Sequence, residues 1–190
     1  MPKIVEPETA RLKLRQWRDR DRLSFAEMNA DPRVMEYFPG MLDRAQSDAL
    51  ADRIELSIKE RGWGLWALER KSDEAFLGFI GLHSPSSKLP FSPCIEIGWR
   101  LAYPYWGRGY ATEAARKILQ TGFKQLGFDQ IVSFTTLRNH RSRAVMQRLG
   151  MADTGENFMH PDVPENSGMK EHCLYRMSRE NWHSINHQDC

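Results

Sequence analysis

Tyr103-Pro104-Tyr105-Trp106-Gly107-Arg108-Gly109-Tyr110-Ala111-Thr112-Glu113-Ala114 is the stretch on which the reading of this chain turns. Just upstream, Ile95-Glu96-Ile97-Gly98-Trp99 alternates and is rich in β-formers, which predicts a strand. Just downstream, Ala111, Ala114, Ala115, Ile118, Leu119, Gly122, Phe123 and Leu126 recur at helical spacing. A strand, a glycine turn and a helix N-terminus in this order make a phosphate site. The first-turn N–H groups have no partner within the helix, and the helix dipole adds partial positive charge. Gly107 and Gly109 let backbone approach an anion with no Cβ in the way, and Arg108 can add a charge-assisted hydrogen bond. The plainer alternative is a tight turn with a packed helix behind it. No third glycine completes a dinucleotide fingerprint, and no Gly-Lys-Ser/Thr completes a P-loop.

The same run resembles motif A of the GCN5-related N-acetyltransferases (GNAT), whose turn holds the pyrophosphate of acetyl-coenzyme A. The family pattern Gln/Arg-x-x-Gly-x-Gly/Ala falls here on Trp106, Gly109 and Ala111. Trp106 departs from Gln/Arg in the manner of the RimJ/RimL-like branch, where Trp-Gly-x-Gly-Tyr-Ala-Thr-Glu-Ala is usual. Glu8-Thr9-Ala10-Arg11-Leu12-Lys13-Leu14-Arg15 is also similar to the way that branch begins. The resemblance implies a mixed α/β (α+β) acyl-CoA N-acyltransferase fold. Its central sheet is mostly antiparallel, its fourth and fifth strands are parallel and splayed, and helices cover both faces. It also implies one N-acetyltransferase domain over residues 1–190, with a core at about 8–178.

Composition agrees with a globular domain that has a substantial core: 190 residues, 41% hydrophobic and 27% charged. Lys+Arg at 27 against Asp+Glu at 25 leaves a charge of +2, too balanced for bulk charge to suggest a nucleic-acid binder. The 3 cysteines, Cys94, Cys173 and Cys190, lack metal-type spacing and read as reduced thiols of a cytoplasmic protein without a metal. No signal-type apolar core opens the chain and no apolar run is long enough to span a membrane.

Taken in order, Arg11–Arg15 predicts a strand with Leu12 and Leu14 inward, and Asp19 offers an N-cap for a short helix through Leu23, Phe25, Ala26 and Met28. Asp43 or Ser47 starts a second helix carrying Leu50, Ile54 and Ile58 and stopping at Gly62. By resemblance, this helix and the aromatic connector before it form one wall of the acceptor site. Trp63–Leu68 and Ala75–Leu82 predict a hairpin, followed by an exposed loop from His83 to Pro93. A fourth strand, Cys94–Leu101, leads into the glycine turn. Gln130–Thr135 is a fifth strand, and Asn139 caps a helix closed by Gly150. Met151–Asp153 and Lys170–Met177 read as strands around an irregular excursion at His160–Glu165, and the chain beyond Ser178 reads as a frayed polar tail.

The resemblance also distributes roles. The cofactor's pantetheine arm lies between the splayed strands, with a backbone N–H near Trp99, Arg100 and Leu101 toward the thioester oxygen. Its pyrophosphate lies on Trp106, Gly107, Arg108, Gly109, Tyr110, Ala111 and Thr112. Asn139-His140-Arg141-Ser142, closed by Leu149-Gly150-Met151, resembles motif B. Asn139 is then expected to bond the pantetheine arm, and Ser142 to sit at the sulfur as the acid that reprotonates the thiolate. Read alone, Asn139 is an N-cap and Ser142 a surface hydroxyl. Many relatives carry a tyrosine acid where this chain has Met146, which has no proton to give. Glu96 is the candidate base, facing away from Ile95 and Ile97, although an exposed strand glutamate fits as well. His83 and His160 are substitutes that also read as ordinary loop histidines. Glu113, in the first turn of a helix, reads as structural. Trp63, Trp66, Tyr37, Phe38 and Trp99 line either an acceptor pocket or the core.

The activity implied is transfer of acetyl from acetyl-CoA to a primary amine, on a small molecule or a protein N-terminus, directly in a ternary complex. A homodimer is compatible with the resemblance, and neither nucleic acid nor membrane is an expected partner. The alternatives are a non-catalytic acyl-CoA-binding or sensing domain and a nucleotide-phosphate binder.

Overall fold

The computed structural model describes residues 2–85 and 88–186. Cys190 and two serines of the His83–Pro93 stretch, Ser86 and Ser87, lie outside the described residues. The strands are β1 (Leu12–Arg15), β2 (Leu65–Arg70), β3 (Phe76–His83), β4 (Glu96–Leu101), β5 (Gln130–Thr136), β6 (Ala152–Asp153), β7 (Phe158–Met159) and β8 (Glu171–Ser178). The helices are α1 (Asp21–Asn29), α2 (Arg44–Arg61), α3 (Tyr110–Lys124), α4 (His140–Arg148) and α5 (Arg179–Asn186). The strands form one mixed sheet in the order β1-β2-β3-β4-β5-β8-β6, with β7 also paired to β8. β4 runs parallel to β5, whereas β1/β2, β2/β3, β5/β8, β6/β8 and β7/β8 are antiparallel.

Two compact units make up the chain. Met1–Leu82 and Gly98–Ile118 form the first, and His83–Ile97 and Leu119–Cys190 the second. β4 and α3 each pass from one into the other.

In the first unit, β2 and β3 are buried almost continuously, as strands covered on both faces are. Gly78 and Gly81 allow this close packing. A Cβ on Gly78 would come within 2.1 Å of the Arg100 carbonyl oxygen, and one on Gly81 within 1.9 Å of the Gly64 carbonyl oxygen. Trp17, Phe25, Phe76 and Phe79 pack edge-to-face or tilted, with centroids 4.8–6.5 Å apart. α2 starts at Asp43, whose carboxylate accepts from Gln46 N–H while the Gln46 side chain accepts from Asp43 N–H, a reciprocal capping box. It stops at Gly62, whose φ of 79° only glycine adopts freely.

α1 does not start at Asp19. Its cap position is Arg20, with no side-chain cap: the Asp19 carboxylate stays exposed beside Arg22, and the Asp21 carboxylate takes the Arg18 N–H and clamps a buried guanidinium. That group is Arg15, 1% exposed, which donates to both oxygens of Asp21 at 2.7 and 2.8 Å and to Glu69 at 2.7 Å. Burial opposes the charge on Glu69, but hydrogen bonds from Arg15 and Arg20 and the charge of Arg18 outweigh it and hold the carboxyl below its usual value. The resulting stability is present above the ordinary glutamate range and is lost as pH falls through the lowered value. Glu69→Ala is expected to cost about 1–3 kcal/mol in urea unfolding, because Asp21 still matches the charge of Arg15 but its buried Nε loses its acceptor.

In the second unit, Leu89, Val132, Phe158 and Leu174 form a core that Phe91, Cys94 and Phe134 pack against. The loop after β3 is therefore not wholly exposed, since Leu89 is 5% exposed. β8 pairs with β5 along its length, from Gln130↔Ser178 to Thr136↔His172. Residues 179–186 are not a frayed tail. They form α5, in which Trp182 is buried against Phe123 at a centroid distance of 5.7 Å. Arg179 helps to tie its start to the sheet, donating to the carbonyls of Phe128 and Gly127 and pairing with Asp129. No helix among the described residues is long and apolar enough to cross a membrane.

Candidate active site

The glycine turn is held by its own unit. After β4, a short 3-10 turn at Tyr103–Tyr105 reverses the chain, and Trp106 Nε1 donates 2.7 Å to the carbonyl of Leu101. Gly107 and Gly109 have φ of 71° and 79°, in the left-handed region, and a Cβ on Gly107 would meet nothing within 4 Å. Gly107, Arg108 and Gly109 are all exposed. The first backbone bond of α3 runs from Glu113 N–H to Gly109 O at 3.0 Å, so the N–H groups of Tyr110, Ala111 and Thr112 precede the helical ladder. Open space at a glycine beside these donors at a helix N-terminus fits a diphosphate.

What braces the turn was not legible in the motif. Arg11, at the head of the chain, donates through Nη1 and Nη2 to the Arg108 carbonyl at 3.2 Å and through Nε to Glu113 at 2.6 Å. The Thr9 hydroxyl donates to Glu113 at 2.5 Å. Burial works against ionised Glu113, but the Thr9 and Arg11 bonds prevail and lower its pKa. Glu113 thus ties the helix start to β1. Tyr110 is buried, with Arg11 over its ring at 4.6 Å and Arg70 Nη1 donating to its hydroxyl at 3.5 Å. Arg11 and Glu113 lie too far apart in sequence for any spacing rule to join them.

Also in the first unit, Trp99 and Arg100 are half-buried on β4 and Leu101 is buried. Trp66 is core, 0% exposed, and its indole donates to Val5 O.

In the second unit, the β4–β5 ladder has one bridged pair, Glu96 opposite Val132, with Val132 N–H donating to Ile95 O at 2.9 Å. The next carbonyl, Ile97 O, accepts from the Ser133 hydroxyl at 3.0 Å instead of from a strand N–H. Parallel pairing thus stops one residue past Glu96, where a polar chain could take over the strand's hydrogen bonds.

Glu96 Oε2 lies 3.0 Å from His83 Nε2. The His160 ring stands 5.0 Å from that of His172. Burial lowers the pKa of both His160 and His172, so both are neutral near pH 7. His160 Nδ1 accepts from Asp162 N–H, which leaves its proton on Nε2. The structure therefore pairs two of the three candidate bases, Glu96 and His83, while His160 packs against Phe134, Phe158 and His172. The Cys94 thiol is pushed up by burial and then by Glu96, and stays protonated.

At the head of α4, Asn139 Oδ1 accepts from Ser142 N–H at 3.2 Å, while Nδ2 donates to Thr135 Oγ1 at 3.1 Å and Ser142 Oγ at 3.2 Å. Asn139 is a cap, and its amide also fixes the Ser142 hydroxyl. Because that oxygen accepts from Asn139, the O–H proton is left to donate elsewhere. Met146, 1% exposed, is core. Among the described residues no group of His, Cys, Asp and Glu could hold a metal.

Comparison with known proteins bears on the family and the fold. The family described as "Acetyltransferase (GNAT) domain" matches residues 11–152. The protein YkkB of Bacillus subtilis is 33% identical over 75% of this chain and 83% of its own. The FsC-acetyl coenzyme A-N(2)-transacetylase of Aspergillus fumigatus is 28% identical over 92% of this chain and 76% of its own. A GNAT-family acetyltransferase from Bacillus anthracis shares the fold at TM-score 0.78 and 23% identity, over 93% of this chain and 99% of that one. From motif, strand order and family match together, the chain belongs to the GNAT acetyltransferases and is an acetyl-transferring enzyme.

Proposed function

We propose that the enzyme moves acetyl from acetyl-CoA to a primary amine by direct transfer, with Glu96 as the base and Ser142 as the acid, as in the RimJ/RimL-like branch. The Glu96–His83 pair at 3.0 Å carries this reading. An amine is protonated in water near neutral pH and must lose that proton before it can attack. Glu96 is a carboxylate 13% exposed in its side chain, and His83 beside it, 35% exposed, offers the proton a way toward solvent. Acetyl-CoA supplies the thioester. The exposed glycine turn, with the first-turn N–H groups of Tyr110, Ala111 and Thr112, would hold its pyrophosphate. The backbone of Trp99–Leu101 supports the thioester end in this reading.

Ser142 serves the leaving thiolate. The Asn139 amide bonded to its oxygen directs the hydroxyl proton outward. A thiolate leaves readily, so Ser142→Ala is expected to lower kcat about ten- to a hundredfold. The Kd for coenzyme A, measured by titration calorimetry, should stay within about twofold. An equal loss of binding would make Ser142 a binding residue only. Acetyl transfer itself is tested by product mass: the amine must gain acetyl as coenzyme A is released.

A further inference from the structure

We infer that Arg100 reads the acceptor, and that the acceptor is a small amine carrying a carboxylate; this rests on the acetyl-transfer reading above. The starting point is how differently the fold treats its arginines. Buried Arg15 is matched by Asp21 and Glu69. Arg143 and Arg176 each leave a buried Nε without an acceptor, yet each faces a carboxylate, Asp153 at 3.7 Å and Glu156 at 3.4 Å. Arg100 has no ion pair among the described residues. Its Nη1 donates to Asn29 Oδ1 at 2.6 Å, and its Nε is buried with no acceptor. Its guanidinium stands 4.0 Å over the Phe38 ring and 5.4 Å from Phe79. Burial pushes its pKa down to about 10, and it remains a cation at neutral pH.

An uncompensated cation among phenyl rings is costly to keep unless an anion joins it. Asn29 does not supply that charge, but it holds the group still: it is 0% exposed, and its Nδ2 donates to the equally buried Ser47 at 3.1 Å. A fixed guanidinium with donors to spare matches the two oxygens of a carboxylate. Ser47 belongs to α2 and Phe38 to the connector before it, the elements that the resemblance assigns to the acceptor wall, and Asn29 ends α1 beside them. A single positive charge bracketed by two rings suits one small monoanion better than a polyphosphate, which the glycine turn already accommodates.

The test uses free L-amino acids, each set beside its own amide, with thiol release from acetyl-CoA corrected for the fraction of free amine. The wild type is expected to favour the carboxylate member by about a hundredfold in kcat/KM. Arg100→Gln should erase that preference through KM of the carboxylate acceptor while KM for acetyl-CoA holds, and Arg100→Lys should restore part of it. Turnover of amides and acids alike, or a preference that survives in Arg100→Gln, overturns the inference. So does an Arg100-dependent preference for acidic peptides over free amino acids. If no amine is acetylated, the transfer reading fails on its own account. Calorimetric binding of the same amino acids to enzyme saturated with coenzyme A then decides the Arg100 question: binding lost in a folded Arg100→Gln supports it, and no binding to wild type overturns it.

Discussion

Glu96→Gln is expected to lower kcat by about 10²–10⁴-fold while leaving the affinity for coenzyme A within about twofold. Glutamine keeps the shape and can still meet His83, but it cannot take a proton. The deficit should shrink as pH rises toward the pKa of the acceptor, because a larger share of the amine then arrives deprotonated. That pH profile separates a base from a residue that merely braces β4, whose loss would depress the rate equally at every pH. His83→Gln provides the comparison. If His83 only relays the proton, its loss should cost less than that of Glu96. If His83 is itself the base, the order reverses.

Gly109→Asp is expected to weaken coenzyme A binding by about two orders of magnitude, read by calorimetry, with a stability loss of only about 1 kcal/mol from the left-handed backbone. Aspartate tolerates the left-handed conformation better than most residues. The new Cβ would meet only Arg11 Nη2, at an ordinary 3.6 Å. The side chain has room and the left-handed φ of 79° adds only modest strain, so the larger loss falls on the ligand, whose pyrophosphate would face a carboxylate at the helix N-terminus. Unchanged affinity would mean that the diphosphate binds elsewhere.

These expectations rest on features that the sequence shows to different degrees. The glycine turn was legible because a left-handed turn ahead of a helix demands glycine, and Gly107 and Gly109 both adopt it. Asp43 and Gly62 bracket α2 by local chemistry alone, which a sequence displays directly. Asn139 and Ser142 stood at cap spacing, and the cap formed. Local rules failed wherever a distant partner decided the outcome. Asp19 stays exposed beside Arg22 and does not cap α1, and Arg15 is buried against Asp21 and against Glu69, which lies diagonally across β1 and β2 from it. The polar segment after Ser178 became α5 because Trp182 found Phe123. The pairing of His83 with Glu96, and the meeting of Asn29 with Arg100, join positions that no periodicity relates.

The most direct test of direct acetyl transfer is a rapid-mixing measurement of free thiol from acetyl-CoA, made with and without a primary amine. The account predicts no thiol burst and no acetylated protein in the absence of amine, and one N-acetylated product for each coenzyme A released in its presence. A thiol burst without amine, accompanied by acetyl retained on the protein, would contradict it.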